Sequence, residues 1–140
     1  MKQFEYLEHT SEEKFAAYGK TMEEAFCNAA LALENIIVKT ENIKPSIKKK
    51  ISIETKHLKG LLFDFLQELL ILFDSQYFVI NKIADMHIQQ KGSDYTLECN
   101  AYGDNAKKYP ILSGVKSVTY NEMEIKQEKE ELKITVVVDV

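Results

Sequence analysis

The chain has 140 residues, of which 45% are hydrophobic and 29% are charged, and its formal net charge is −4. This composition is typical of a globular domain long enough to bury a core, so we expect residues 1–140 to form a single domain. The acidic balance argues against broad binding to a phosphate backbone. No direct nucleic-acid binding is therefore expected, and a role with nucleic acid would pass through a partner protein.

The chain shows no sign of export or of a membrane span. Its N-terminal residues lack the apolar stretch of a signal peptide, and polar residues interrupt the long apolar run at 58–73. We therefore expect a cytoplasmic protein that does not cross a membrane. The two cysteines, Cys27 and Cys99, fall in different predicted elements and are expected to be free buried thiols.

The first 38 residues predict a strand and then a helix. Residues 4–8 alternate weakly as a strand, and a polar cluster follows at 8–13. A capping box at 21–24 predicts a helix start. Apolar residues then recur at helical spacing, which predicts a one-sided surface helix with Glu23, Asn28 and Glu34 on the exposed face.

The next segment, 39–50, carries five lysines and precedes a short predicted strand at 51–55. The lysines could contact nucleic acid or another anionic partner. Lysine also protects the edges of sheets, so a solvated loop that leads into an edge strand is the favoured interpretation.

A second helix is predicted at 58–73, where nearly every residue is apolar. A narrow polar stripe interrupts it at Gly60, Asp64, Gln67 and Glu68. The stripe either lines a cleft or, as we favour, is the one face of a mostly buried helix that meets water.

The rest of the chain predicts β structure with short connections. The predicted strands are 77–80, 84–90, 95–101, 115–125 and 132–140, with a hairpin turn at 91–94 and another turn at 128–130. Short connections favour antiparallel neighbours. The expected fold class is therefore α+β: a single domain of mostly antiparallel β-sheet with two main helices packed on it.

The last predicted strand ends on two anionic groups. Its alternation places Leu132, Ile134, Val136 and Val138 on one face. The carboxylate of Asp139 and the terminal carboxylate of Val140 then lie side by side, and they repel unless a cation, hydrogen-bond donors or water relieve them. Bulk water is the simpler explanation, and a bound metal ion is the alternative.

Few sequence patterns point to catalysis. The chain has no glycine-rich phosphate loop, no Cys-x-x-Cys, no His-Glu-x-x-His and no nucleophile elbow. What remains is the acidic cluster at 8–13, where Glu8 or Glu12 would meet Asp139 if the first and last strands are neighbours. Carboxylates there would suit a hard divalent ion. A charged turn, with Thr10 and Ser11 bonded to the local backbone, explains the same residues.

Five motifs, taken together and in order, resemble the archease family. They are the segments 4–10, 19–26, 61–69, 115–120 and 138–140, which together span essentially the whole chain. The polar positions depart from the family pattern more than the scaffold positions do. Glu12 stands where the family usually has Asp, and Asn121 stands where it commonly has His.

The resemblance implies a non-enzymatic accessory protein of the tRNA-splicing RNA ligase, which joins a phosphate end of RNA to a 5′-hydroxyl end. It implies that the protein promotes guanylylation of the ligase with GTP and its repeated turnover. It also implies an acidic tip that binds a divalent metal ion, with calcium as the candidate. The implied metal residues are Glu12, Asp139 and Val140, and the implied partner contacts are His9 and Lys116.

Two other functions remain open. One is a metal-independent chaperone or protein-interaction module. The other is a small metal-dependent enzyme, which the lack of a nucleophile-and-base constellation disfavours.

Overall fold

The computed structural model describes residues 2–9 and 11–140. Thr10, part of the predicted polar turn, therefore lies outside the described residues, as does Met1. The described strands are β1 (Phe4–Leu7), β2 (Glu13–Gly19), β3 (Ile47–Thr55), β4 (Phe78–Lys91), β5 (Asp94–Asn105), β6 (Ser117–Glu128) and β7 (Glu131–Asp139). The helices are α1 (Met22–Ile37) and α2 (Leu58–Gln76), with short 3₁₀ turns at Thr40–Asn42 and Ala106–Lys108.

The strands form two antiparallel sheets. Sheet A has the order β1-β2-β7-β6, and sheet B has the order β3-β5-β4. The predicted α+β class with two helices is confirmed. The first and last strands are not neighbours, however, because β2 lies between β1 and β7. Glu8 or Glu12 can therefore approach Asp139 only from the start of β2, the strand that pairs with β7, and not from β1.

Both helices lie between the two sheets. Helix α1 contacts three strands of sheet A and also β4 of sheet B, while α2 contacts β6 of sheet A and all of sheet B. The inward faces of both sheets and the two helices share one apolar core. The rings of Phe26 on α1 and Phe65 on α2 stack within it, with centroids 6.2 Å apart. The outer faces of both sheets point away from the helices.

The prediction that α1 is a one-sided surface helix is wrong. Asn28 and Glu34, expected on its exposed face, are both buried. The reason is that α1 is packed on both sides, by β2 of sheet A and by β4 of sheet B. Asn28 Nδ2 donates to Tyr18 O at 2.6 Å, and Glu34 Oε1 accepts from Ile80 N at 2.8 Å. Each polar group thus ties the helix to a different sheet.

The predicted start of α1 and the predicted character of α2 are confirmed. Thr21 Oγ1 accepts from Glu24 N at 3.1 Å, and Glu24 Oε1 accepts from Lys20 N at 3.1 Å. Helix α2 buries seven apolar side chains, and its polar residues lie on the less buried side. Gln67 on that side accepts from Val118 N at 3.2 Å, so part of the stripe binds β6.

The two β segments predicted at 77–80 and 84–90 form one continuous strand, β4. The sequence pattern is interrupted between the two segments because the pairing of β4 with β5 shifts at two places, between Ile80 and Lys82 and between Ala84 and His87. The predicted hairpin turn that follows is confirmed, with Gly92 at a φ of 62°. The turn at 128–130 is also present and joins β6 to β7.

Cys27 and Cys99 are both free, but only Cys99 is buried as predicted, since Cys27 is half-buried. Burial raises the pKa of the Cys27 thiol to about 11 and that of Cys99 to about 12, so both stay protonated at neutral pH. Within the described part of the chain, no helix is long and apolar enough to cross a membrane.

Candidate functional site

One end of sheet A gathers most of the residues that the sequence analysis selected. In the β2–β7 pair, Glu13 lies opposite Val138, so Glu12, which precedes β2, and Asp139, which ends β7, belong to the same end of the sheet. On the other side of β7, Ser117 pairs with Asp139, and Lys116 N donates to Asp139 O at 2.8 Å. Strand pairing therefore brings Lys116 to Asp139, while Glu12 lies just before β2 at the same end.

Asp139 is the last residue of β7 and lies on the outer face of sheet A with Val137. Its side-chain Oδ2 accepts from Ser117 Oγ at 3.4 Å. The side chain of Lys116 is exposed beside it. Val140, the third predicted metal residue, follows β7 directly and is 40% exposed.

His9 connects Glu12 to an acid that the sequence analysis missed. His9 Nδ1 lies 3.5 Å from Glu12 Oε1, and His9 Nε2 lies 2.8 Å from Glu122 Oε2. The Nδ1 atom is buried and has no hydrogen-bond partner within residues 2–9 and 11–140. The imidazole is thus hydrogen-bonded to Glu122, whereas Glu12 lies only at ion-pair distance from it.

Glu122 reaches this end because β6 bulges outward. The pairing of β6 with β7 slips between Thr119 and Glu124, and Glu122 has a φ of 54° at the crest of the bulge. Its carboxylate extends across β7 to β2, where Lys14 Nζ lies 3.0 Å from Oε1. Hydrogen bonding from His9, and then from Lys14, lowers the pKa of Glu122. No sequence pattern marks a bulge, so only the structure reveals Glu122.

The surface around these residues is a shallow depression of about 570 Å³, lined by Leu7, Glu8, His9, Glu12 and Glu13. A second depression on the other side of Leu7 reaches Lys14 and Glu122. The end of the sheet is therefore acidic overall, with His9, Lys14 and Lys116 as its basic groups. An arrangement of this kind can bind a cation or a basic segment of a partner.

The donor chemistry of this end suits a hard divalent ion, since Glu12 and Asp139 offer carboxylate oxygens. Within the described residues, however, no group of three or more His, Cys, Asp or Glu side chains is placed to hold a metal ion. Calcium takes roughly six to eight oxygen ligands. Two carboxylates would leave most of these positions to water or to a partner.

The fold is that of a small α+β protein with two helices between two antiparallel sheets. Its candidate site lies at the end of one sheet, in a shallow depression rather than a deep pocket. The archease protein family model matches residues 4–140. The chain belongs to the archease family.

Relatives and solved structures agree with this assignment. A protein archease of Methanosarcina barkeri is 40% identical over 141 residues, which cover 99% of this chain and 97% of that one. The solution structure of protein 1598 from Methanobacterium thermoautotrophicum is 31% identical with a TM-score of 0.86, and the match covers 100% of both chains. The crystal structure of a Thermotoga maritima archease, described as a possible chaperone, is 19% identical with a TM-score of 0.53 and coverage of 96% and 94%. This last likeness concerns the fold alone.

Proposed function

We propose that the protein is a cytoplasmic, non-enzymatic accessory protein of a tRNA-splicing RNA ligase. It promotes the GTP-dependent guanylylation of the ligase and allows repeated turnover. Membership of the archease family supports this proposal. The observation that supports it is the pairing of β2 and β7, whose last pair is Glu13 and Val138, with Lys116 N bonded to the neighbouring Asp139 O.

In this proposal the acidic sheet end binds a divalent metal ion, with calcium as the candidate. Glu12, Asp139 and Val140 would hold it, and when bound it would supply a positive charge between the acidic end and the anionic groups of the ligase. The strand pairing keeps Asp139 in place, because its backbone carbonyl accepts from Lys116 N and its side chain from Ser117. The residues would thus be oriented before the partner arrives.

His9 and Lys116 are the proposed partner contacts. Both lie beside the acids rather than among the core residues, and Lys116 is exposed. Glu122 holds His9 through Nε2, and Glu12 lies 3.5 Å from Nδ1 on the other side of the ring. A basic group held in this way can bind an acidic or phosphate group of the ligase without opposing the binding of a cation by the carboxylates.

A metal-independent chaperone or protein-interaction module is the alternative function. The description of the Thermotoga maritima archease as a possible chaperone favours this alternative. The same acidic depression could contact a basic segment of a client directly. The two functions differ in their need for metal and for Glu12.

The experiment combines capture of the RNA ligase with a guanylylation assay. Tagged protein is mixed with purified ligase in calcium or in chelator, and the transfer of labelled GMP from GTP is then timed. We expect capture in calcium, loss of capture in chelator or with Glu12→Gln, and faster guanylylation when the protein is present. Capture that survives both chelator and Glu12→Gln would favour the chaperone function. No effect on guanylylation would rule out the accessory role.

A further inference from the structure

The outer face of sheet B carries an aromatic ring between two lysines. The acidic end described above belongs to the other sheet, sheet A. Lys48 on β3 pairs with Tyr102 on β5, and Tyr102 pairs in turn with Lys82 on β4. Paired strands lie about 4.8 Å apart, so the lysines flank the ring on both sides. Lys82 Nζ lies 5.1 Å from the ring centroid.

The charge of this row is not neutralised locally. Among the ion pairs of the described residues, none involves Lys48 or Lys82. The nearby acids are engaged elsewhere: Asp104 accepts from Tyr109 Oη at 2.7 Å, Asp85 accepts from Asn100 at 2.9 Å, and Glu98 lies 3.7 Å from Lys50 Nζ. In the described part of the chain, Lys48 and Lys82 therefore lie beside Tyr102 without an ion-pair partner.

A second ring with a lysine lies at the same end of sheet B. Tyr77, at the end of α2, is 50% exposed, and Lys107 Nζ lies 4.8 Å from its ring centroid. Lys49 lies 5.3 Å from the ring of Phe78, next to Tyr77. The C-terminus of α2 attracts cations, which accounts for Lys49 and Lys107 in part. It does not account for the row centred on Tyr102.

Edge protection does not explain that row either. Lysine on an edge strand such as β3 discourages pairing with another chain. Tyr102, however, lies on the central strand of sheet B, where no edge needs protection. A sheet face with a central aromatic ring and flanking lysines has the chemistry that binds single-stranded nucleic acid, in which bases stack on rings and phosphates contact ammonium groups.

We propose that the row formed by Lys48, Tyr102 and Lys82 binds a short single-stranded segment of nucleic acid. One base stacks on Tyr102, and the phosphates on either side of it contact Lys48 and Lys82. The net charge of the whole chain led to the opposite expectation, because a sum over all residues does not show that these lysines are gathered on one face. The proposal goes beyond the accessory role and uses none of its residues.

The test measures binding of a fluorescein-labelled decauridine RNA to the full chain by anisotropy, without ligase or metal. A decathymidine arm compares RNA with DNA. We expect Tyr102→Ala to weaken binding about tenfold, and Tyr102→Phe to retain it because the stacking ring remains. Lys48→Gln and Lys82→Gln should each reduce the slope of the logarithm of the binding constant against the logarithm of the salt concentration by about one. Tyr120→Ala and Lys126→Gln, both exposed on sheet A, are matched controls and should bind as the wild type does.

Three outcomes would overturn the proposal. The first is no binding of either oligonucleotide at low salt. The second is equal loss of binding in the sheet A controls. The third is binding of a poly-glutamate peptide with the same lysine dependence and no effect of Tyr102→Ala, which would identify an acidic protein as the partner. Because ligase and metal are absent, none of these outcomes bears on the accessory role.

Discussion

The carboxylate of Glu122 lies 2.8 Å from Nε2 of His9, although 113 residues separate them in the chain. The contact crosses the whole width of β7, since Glu122 starts from β6 and also reaches Lys14 on β2. It fastens the loop between β1 and β2 to the far side of sheet A. Glu122 thereby positions His9 next to Glu12.

Glu122→Gln should loosen this loop without unfolding the protein. The change removes the charge that His9 and Lys14 contact, while the carboxylate is 53% exposed, so we expect only a small loss of global stability. Amide hydrogen exchange at Glu8 to Glu12 should become faster. Glu124→Gln, which alters an exposed acid of the same strand, is the control. Equal exchange in both variants would show that Glu122 does not hold the loop.

Glu34 should make stability depend on pH. It is completely buried, and burial raises its pKa to about 8 although a bond from Ile80 N lowers it in part. Between its ordinary pKa of 4.5 and about 8, the unfolded chain ionises while the folded protein keeps the proton. Its contribution to stability is therefore fully present below pH 4.5, falls by up to about 1.4 kcal/mol per pH unit, and levels off above pH 8.

Glu34→Gln should abolish that decline, because the amide does not ionise and can still accept from Ile80 N. Urea unfolding at pH 5, 7 and 9 measures the difference between variant and wild type, which should grow in favour of the variant as pH rises. Glu23→Gln on the same helix is the control and should follow the wild-type curve. A constant difference between Glu34→Gln and wild type at all three pH values would refute the assignment.

Gly103→Ala should be strongly destabilising. A Cβ atom at Gly103 would lie 1.8 Å from the backbone oxygen of Val79, so β4 and β5 would have to separate. We expect a loss of about 3 kcal/mol or more in the free energy of unfolding. Gly114→Ala is the matched control, since nothing lies within 4 Å of its Cβ position, and it should change stability by about 0.5 kcal/mol at most. Equal effects would contradict the close approach of the strands.

The local elements of the fold could be predicted from the sequence because their signals are local. The capping box fixed the start of α1, and Gly92 marked the hairpin between β4 and β5. The arrangement of the layers could not be predicted in this way. A polar residue such as Glu34 indicates an exposed face unless a distant strand covers it, and here β4 of sheet B covers it.

The candidate site was partly accessible to sequence reasoning. The resemblance to the family indicated Glu12, Asp139 and Lys116, and the strand pairing explains why Lys116 contacts Asp139 at the end of the sheet that Glu12 adjoins. Glu122 did not follow, because its approach to His9 depends on a bulge and a positive φ that no residue pattern requires. The row centred on Tyr102 was missed for a similar reason. Its members come from three strands and are neighbours only in the folded sheet.

The rate of guanylylation of the RNA ligase with Asp139→Asn tests the central claim most directly. The variant keeps the shape and the backbone bond to Lys116 N but loses the charge that would bind a metal ion. With calcium and GTP present, we predict that the wild-type protein accelerates guanylylation, that Asp94→Asn on sheet B does so equally, and that Asp139→Asn loses most of the acceleration. Full acceleration by Asp139→Asn would contradict the account.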